Sequence, residues 1–345
     1  MSRTLSKGKE SKYRYLKKLM LNKRSLRAVL LSLVAFSMIP LLILSISLGG
    51  LAAADTGTFD RFEAEEERVP GERAAFAPPR DGITIVTSHR EGNIVALNPD
   101  GTVLYHNNTY DGYWDVDPSS EGSHTVVYAA SAKVSDSSIC HPVDNQNHCI
   151  KQMIVQDNLT SGKIEILYSR LDPRYSSSEW HDVDHVKGSL YAVADMYSEE
   201  VFIVDVNSGI VTWEWGLQSA FSTSTGNQYL RDWVHLNDVE VLTDGRLMLS
   251  ARNLDQVLFV DPTEGLDETW TIGGDDELGT LFEQHNPDYI PEVMGGPAVL
   301  IADSENDRIV EYQRTQDGDW TESWIWQDQH MQWPRDADRL PNGNT

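Results

Sequence analysis

Residues Asp232 to Asp261 read DWVHLNDVEVLTDGRLMLSARNLDQVLFVD. His235, Asn237, Asp238 and Glu240 are interleaved with Val234, Leu236, Val239 and Val241, which is close to the period-2 pattern of a strand, and a turn follows at Thr243-Asp244-Gly245. Arg246 to Ala251 and Val257 to Asp261 are two further apolar runs, separated by the polar bend Arg252 to Gln256. Alternation places His235 and Asn237 on one face of the first strand, with Arg252 at the end of the second, at the same end of the hairpin.

Working outward, the third run recurs as a β-branched strand closing in a polar turn at Ile94 to Gly101, Met153 to Gly162, Val201 to Gly209, Val257 to Gly265 and Ile309 to Gly318. A further strand follows each turn, often with a Trp. Repeats of about 40 to 50 residues with four short strands and no helical pattern predict an all-β chain built as a β-propeller. Counting partial copies gives about six four-stranded blades. The first copy lacks an inner strand and the last ends at Pro341-Asn342-Gly343-Asn344-Thr345, so the ring is expected to be incomplete, as in a truncated chain.

Aligning the inner strands brings out a short motif: Asp115-Val116-Asp117, Asp182-Val183-Asp184, Asp238-Val239-Glu240, Asn286-Pro287-Asp288 and Asp336-Ala337-Asp338. It is preceded by Trp114, His181, Asn237, His285 and Arg335, with His235 two places before Asn237. In a propeller one repeat position from each blade converges on the axis. Arg252 falls where sibling copies carry His89, Met196 and Ser304. Three His, one Asn and two Arg in one funnel suit a small anion, because guanidinium forks onto oxyanions and imidazole donates to them or attacks their central atom. A zinc or copper site is the chemical rival, but Arg252 and Arg335 would place fixed positive charge beside it, so no metal is expected there. The paired Asp of the motifs are expected to bond backbone amides between blades. No G-x-S-x-G elbow and no phosphate-binding Gly-rich loop is present.

Of 345 residues, 28 are Lys or Arg and 53 are Asp or Glu, for a net charge of −25. Ten of the basic residues precede Asp55, where Glu10 is the one acid; beyond it the lysines are Lys133, Lys151, Lys163 and Lys187. An acidic, Lys-poor surface repels phosphates and excludes nucleic acid as an expected partner. It reads as a hydrated coat suited to concentrated salt, in preference to a cation-binding patch. Residues 1–27 are a basic cytoplasmic segment and 28–54 an uncharged apolar stretch long enough for a transmembrane helix. A cleaved signal ending at Ala52-Ala53-Ala54 is the alternative. Either way the propeller, 82–345, lies outside the cell beyond an acidic linker, 55–81. Cys140 and Cys149 are then expected as a disulfide, and Asn107 and Asn158 head glycosylation acceptor sequences. The Lys133 to Lys151 insert reads as a lid over the funnel or as loop decoration.

W-H-D-V-D at Trp180 to Asp184, D-W-V-H-L-N at Asp232 to Asn237, S-A-R-N at Ser250 to Asn253, Q-H-N at Gln284 to Asn286 and R-D-A-D-R-L-P-N-G-N-T at Arg335 to Thr345 resemble the aryl-sulfate sulfotransferases. The acid-rich composition and N-terminal anchor are similar to haloarchaeal members. The resemblance implies an exported six-bladed propeller that moves sulfate between phenols with no cofactor. It implies His285 as the sulfuryl acceptor, supported by His181, His235, Asn237 and Arg252; Arg335, Trp114 and His89 would contact substrate. Asn286-Pro287 departs from the family pattern, which has Asp after the Gln-His pair. The competing expectation is a non-catalytic propeller that binds an anion or an extracellular partner.

Overall fold

The computed structural model describes residues 57–345 apart from 90, 121, 145–147, 174–178, 230 and 341. The basic segment and apolar stretch read from the sequence lie outside these residues. Among the described residues no helix is long and apolar enough to cross a membrane.

Among the described residues, five antiparallel sheets follow one another along the chain. The first contains β1 (Thr84–Ser88), β2 (Asn93–Leu97) and β3 (Val103–Asn107); the second β4 (Gly112–Pro118), β5 (Thr125–Val134), β6 (Cys149–Asn158) and β7 (Lys163–Asp172). The third contains β8 (Trp180–Lys187), β9 (Leu190–Asp195), β10 (Glu200–Asp205) and β11 (Ile210–Gly216). In the fourth are β12 (Leu236–Val241), β13 (Leu247–Ala251) and β14 (Gln256–Asp261), with the short β15 (Gly265–Leu266) and β16 (Ile272–Gly273). The fifth contains β17 (His285–Ile290), β18 (Ala298–Asp303), β19 (Arg308–Arg314) and β20 (Trp320–Trp326). Each is a meander whose strands pair in chain order, except that β16 of the fourth sheet pairs with β14.

The apolar clusters lie between sheets, as propeller packing requires. Ile94, Ala96 and Tyr105 of the first sheet meet Tyr113, Tyr128 and Met153 of the second. Val127 and Ile154 meet Val193 and Phe202, Ala192 and Val201 meet Leu236 and Leu249, and Met248 and Phe259 meet Val299 and Val310. The fifth sheet packs Leu300 and Ile309 on Met331 and Ala337 of the closing segment. Among the described residues there are therefore five blades where about six were expected. The leading three-stranded piece and the trailing inner motif at 336–338 had each been counted as a partial blade, and that motif stands in an inner position without pairing as a strand.

The motif carboxylates join neighbouring inner strands. Asp182 accepts the Val239 amide at 2.7 Å, Asp184 that of Val241 at 2.6 Å, Glu240 that of Tyr289 at 2.8 Å and Asp288 that of Arg339 at 2.7 Å. Such charge-assisted bonds fix the register of one blade on the next.

At the outer side, the chain before β1 runs along the first sheet. Phe76 donates to the Gly101 carbonyl and Arg80 to that of Pro99, each at 2.8 Å. The Arg73 guanidinium donates to the carbonyls of Glu66 and Val103.

Phe259 is fully buried with ring centroids 5.2 Å from Trp270 and 6.1 Å from Trp320. Phe259→Ala should lower unfolding stability by about 3 to 5 kcal/mol, while Val293→Ala, at a side chain 93% exposed, should change it by less than about 0.5 kcal/mol. Urea titration of both variants checks the pair.

Candidate active site

Every inner strand is irregular at the end that faces the funnel. The ladder shifts register between Trp114 and Val116, between Trp180 and Asp182, between Leu236 and Val239, and between His285 and Asp288. A bulge bends its strand and re-aims the side chains beside it. Repeated at one position in four blades, it turns a row of ordinary strand ends into a convergent site.

The result is a cavity of about 310 Å³ lined by His181, His235, His285, Arg252 and Arg335, with His89 and Trp114 on one wall. The Trp114 ring lies 4.6 Å from that of His89, stacked, and 4.5 Å from that of His181, which is 5.0 Å from His235. His89, Met196 and Arg252 each follow directly on a second strand, β1, β9 and β13, as the repeat alignment required, and all three line the cavity.

Two sequence expectations change. His235 precedes β12 in a left-handed conformation, φ +57°, so it reaches the funnel through a turn and not by strand alternation. Asn237, 2% exposed, does not line the cavity. Its amide donates to the Gln284 carbonyl at 3.0 Å, tying β12 to the residue before His285. It holds the neighbouring blade in place and does not face the same space as His235.

The funnel is also less purely cationic than the inner motif suggested. Asp232 and Glu179 line it. The Asp232 carboxylate lies 2.6 Å from His235 Nδ1, and the Glu283 carboxylate lies 2.6 Å from Arg252 Nη2. Arg252 therefore pairs across to the next blade. Asp232 was legible three residues before His235. Glu283, held at φ +49°, carried no repeat signal.

Ser304 is the most informative residue the sequence reading left without a role, although it stands at the repeat position of Arg252. Its hydroxyl lies 2.7 Å from both His285 Nδ1 and the Pro334 carbonyl oxygen. A carbonyl accepts only, so the hydroxyl proton goes to Pro334 and the Ser304 oxygen accepts from Nδ1–H. This assigns the Nδ1–H tautomer to neutral His285 and leaves the lone pair on Nε2. On the other side, Trp333 meets the His285 ring edge to face at 5.4 Å, and the Arg335 guanidinium lies 4.8 Å from the Trp333 ring centre.

Burial, followed by the charges of Arg335, Arg252 and His235, drives the His285 pKa down to about 2. Burial and then His235 lower that of His181 well below the ordinary value. Burial also lowers that of His235, opposed by its bond to Asp232. The pocket thus holds neutral imidazoles beside permanent guanidinium charge.

Pro287 falls within the bulge between His285 and Asp288, where its missing amide hydrogen interrupts no ladder pair. The Asn286-Pro287 departure is thereby accommodated without turning His285 from the cavity. Elsewhere, Cys140, in the segment between β5 and β6, and Cys149, the first residue of β6, form a disulfide with Cα atoms 5.4 Å apart. Asn107 is 6% exposed, with its amide bonded to Asp157 and its carbonyl accepting from Tyr113. The Asn158 side chain is also engaged, donating to Thr125 and accepting from Ser161 in a turn.

Residues 182–329 match the family model Arylsulfotransferase (ASST). That stretch contains His235, Asn237, Arg252 and His285 and begins one residue after His181. No curated protein matches the chain. Among solved structures, the chain is similar to virginiamycin B lyase from Staphylococcus aureus at 13% identity, covering 71% of this chain and 68% of that one, with a TM-score of 0.42. It is similar to the Malassezia sympodialis allergen Mala s 1 at 11% identity, 75% and 79% coverage and a TM-score of 0.47. A Bacteroides caccae protein of unknown function gives 14%, 74% and 86%, and 0.46.

The depressed His285 pKa fixes a sign. Stability gained by burying neutral His285 is full above its unfolded pKa near 6.5 and is lost as pH falls, because only the unfolded chain takes up the proton. The stability difference between wild type and His285→Gln should shrink by up to about 1.4 kcal/mol per pH unit below about pH 6, measured by denaturant titration from pH 7.5 to 4.5.

Proposed function

We propose that this funnel transfers a sulfuryl group from an aryl sulfate to a phenolic acceptor through a covalent sulfohistidine at His285, without a nucleotide donor. The observation that carries the reading is the His285–Ser304–Pro334 relay, which favours an unprotonated Nε2, in a cavity that Arg252 and Arg335 also line. Neutral imidazole is a competent nucleophile near neutral pH. Nε2 attacks sulfur, an N–S bond forms, the ester S–O bond breaks and the phenolate leaves with the bonding pair. Arg252 and Arg335 bind the sulfuryl oxygens and offset charge in the transition state.

His235, held through Nδ1 by Asp232, is the proton carrier in this scheme. The incoming sulfate monoanion favours the imidazolium form, which protonates the departing phenolate. In the second half the acceptor phenol returns a proton to His235 as its oxygen attacks sulfur, and the N–S bond breaks to regenerate neutral His285. The His89 and Trp114 rings form an aromatic wall suited to the aryl group of donor or acceptor.

We also propose that residues 28–54 hold the propeller at the outer face of a membrane, and that its acidic coat is an adaptation to concentrated salt. Assays therefore belong in molar salt.

Brief exposure to a chromogenic aryl sulfate, followed by peptide mass spectrometry, should show a sulfate-sized adduct on the peptide containing His285, discharged by added phenol. His285→Ala should give neither adduct nor turnover; full transfer by that variant refutes the mechanism. Sulfate binding without turnover in the folded wild type would leave a non-catalytic anion-binding propeller. Arg252→Lys, which loses the guanidinium fork, should lower kcat/KM by about 10²- to 10³-fold. Ser304→Ala should lower kcat by roughly 2- to 10-fold, the worth of one hydrogen bond, and alter the pH profile of the first half-reaction.

A further inference from the structure

Beyond the histidine layer, the same inner strands surround a second cavity of about 280 Å³. Its lining includes Asp115, Asp117, Asp182, Asp238 and Asp336, and contains no Lys, Arg or His. One carboxylate oxygen from each of Asp115, Asp117 and Asp182 lies within 4.8 Å of the others. Oxygens bound to a common calcium ion at 2.3 to 2.6 Å lie at most about 5 Å apart, so the three are close enough to share one.

Acidic side chains here have an alternative use, since Asp182, Asp184, Glu240 and Asp288 bond amides of the next inner strand. Asp238 breaks the series. By the repeat, Asp182 bonds the amide of Val239, and the residue equivalent to Val239 in the following blade is Pro287. Proline has no amide hydrogen. Asp238 is 6% exposed, and its Oδ2 is buried with no hydrogen-bond partner among the described residues. A buried carboxylate left unpaired is costly unless it binds a proton or a cation.

We propose that Asp115, Asp117 and Asp182 bind one hard divalent cation of the calcium class on the propeller axis, with Asp238, which lines the same cavity, completing its shell, and that Pro287 creates the vacancy at Asp238 by withholding the inter-blade amide. The donor set is oxygen alone, which suits calcium over zinc or copper. Repulsion among these carboxyls and their burial are consistent with the site. A divalent ion would offset this repulsion and staple three blades together. The site is separate from the sulfuryl-transfer reading and stands or falls without it.

Equilibrium dialysis of the chelator-treated full chain against calcium at pH 8, in 2 M KCl to screen surface acids, tests the proposal. One calcium per chain is expected with a dissociation constant of about 1 mM or tighter, with magnesium weaker and Tm rising as the site fills. Asp238→Asn should weaken binding at least tenfold. Pro287→Ala, which restores the amide donor to Asp238 and keeps every carboxylate, should weaken it by a smaller factor while leaving the fold intact. No saturable calcium at 10 mM overturns the proposal, as does binding that both variants leave unchanged.

Discussion

The carboxylate-to-amide bond between adjacent inner strands is the contact on which the rest of the molecule depends. A propeller blade is a self-sufficient meander, and apolar packing between blades is nondirectional; it would tolerate one sheet sliding on the next. The bonds from Asp182 to Val239, Asp184 to Val241, Glu240 to Tyr289 and Asp288 to Arg339 remove that freedom. Two links at the boundary between the third and fourth blades fix both position and direction. Only with that register do residues scattered from His89 to Arg335 meet in one cavity.

A second constraint acts on top of the first. An unbroken inner strand points alternate side chains to its two faces, which suits packing but not a funnel end-on to the sheet. The bulges at His181 and beside His285, and the left-handed turns at His235, Asn286 and Trp333, resolve this by breaking the strand where it meets the cavity. Positive φ at non-glycine residues costs stability. Here it is concentrated beside the imidazoles, and Asn237 and Ser304 supply side-chain bonds that hold the distorted backbone and ring in place.

The sequence disclosed what repetition encodes. Five copies of a third strand, their turns and the motif carboxylates were legible because each blade solves the same packing problem with the same pattern. Alignment of copies brought together His181, His285, Arg252, Trp114 and Arg335, since a repeat position needs no knowledge of backbone detail. Strand alternation failed for His235 and Asn237 because a bulge and a left-handed residue intervene, and neither leaves a glycine to announce it. Glu283 and Trp333 were hidden for a related reason: they reach the site from irregular segments between elements. Blade number was overcounted because an incomplete sheet and an unpaired inner segment look alike in sequence to two partial blades.

The two layers of the channel carry opposite electrostatic demands. In the upper one, burial and the arginines keep His181 and His285 neutral, so acidification below about pH 6.5 favours the unfolded chain. In the lower one, burial and mutual repulsion raise the carboxyl pKa values, Asp336 to about 6 and Asp117 to about 9. Their contribution has the reverse sign: it is present below their unfolded pKa near 3.8 and is lost as pH rises through the folded values. With protons alone as counter-charge, no pH satisfies both layers. Pro287 sharpens the conflict, because it sits at the junction, tolerated by the bulge under His285 while denying Asp238 its bond. The divalent cation proposed for the carboxylate layer would supply counter-charge there and leave the imidazoles above neutral.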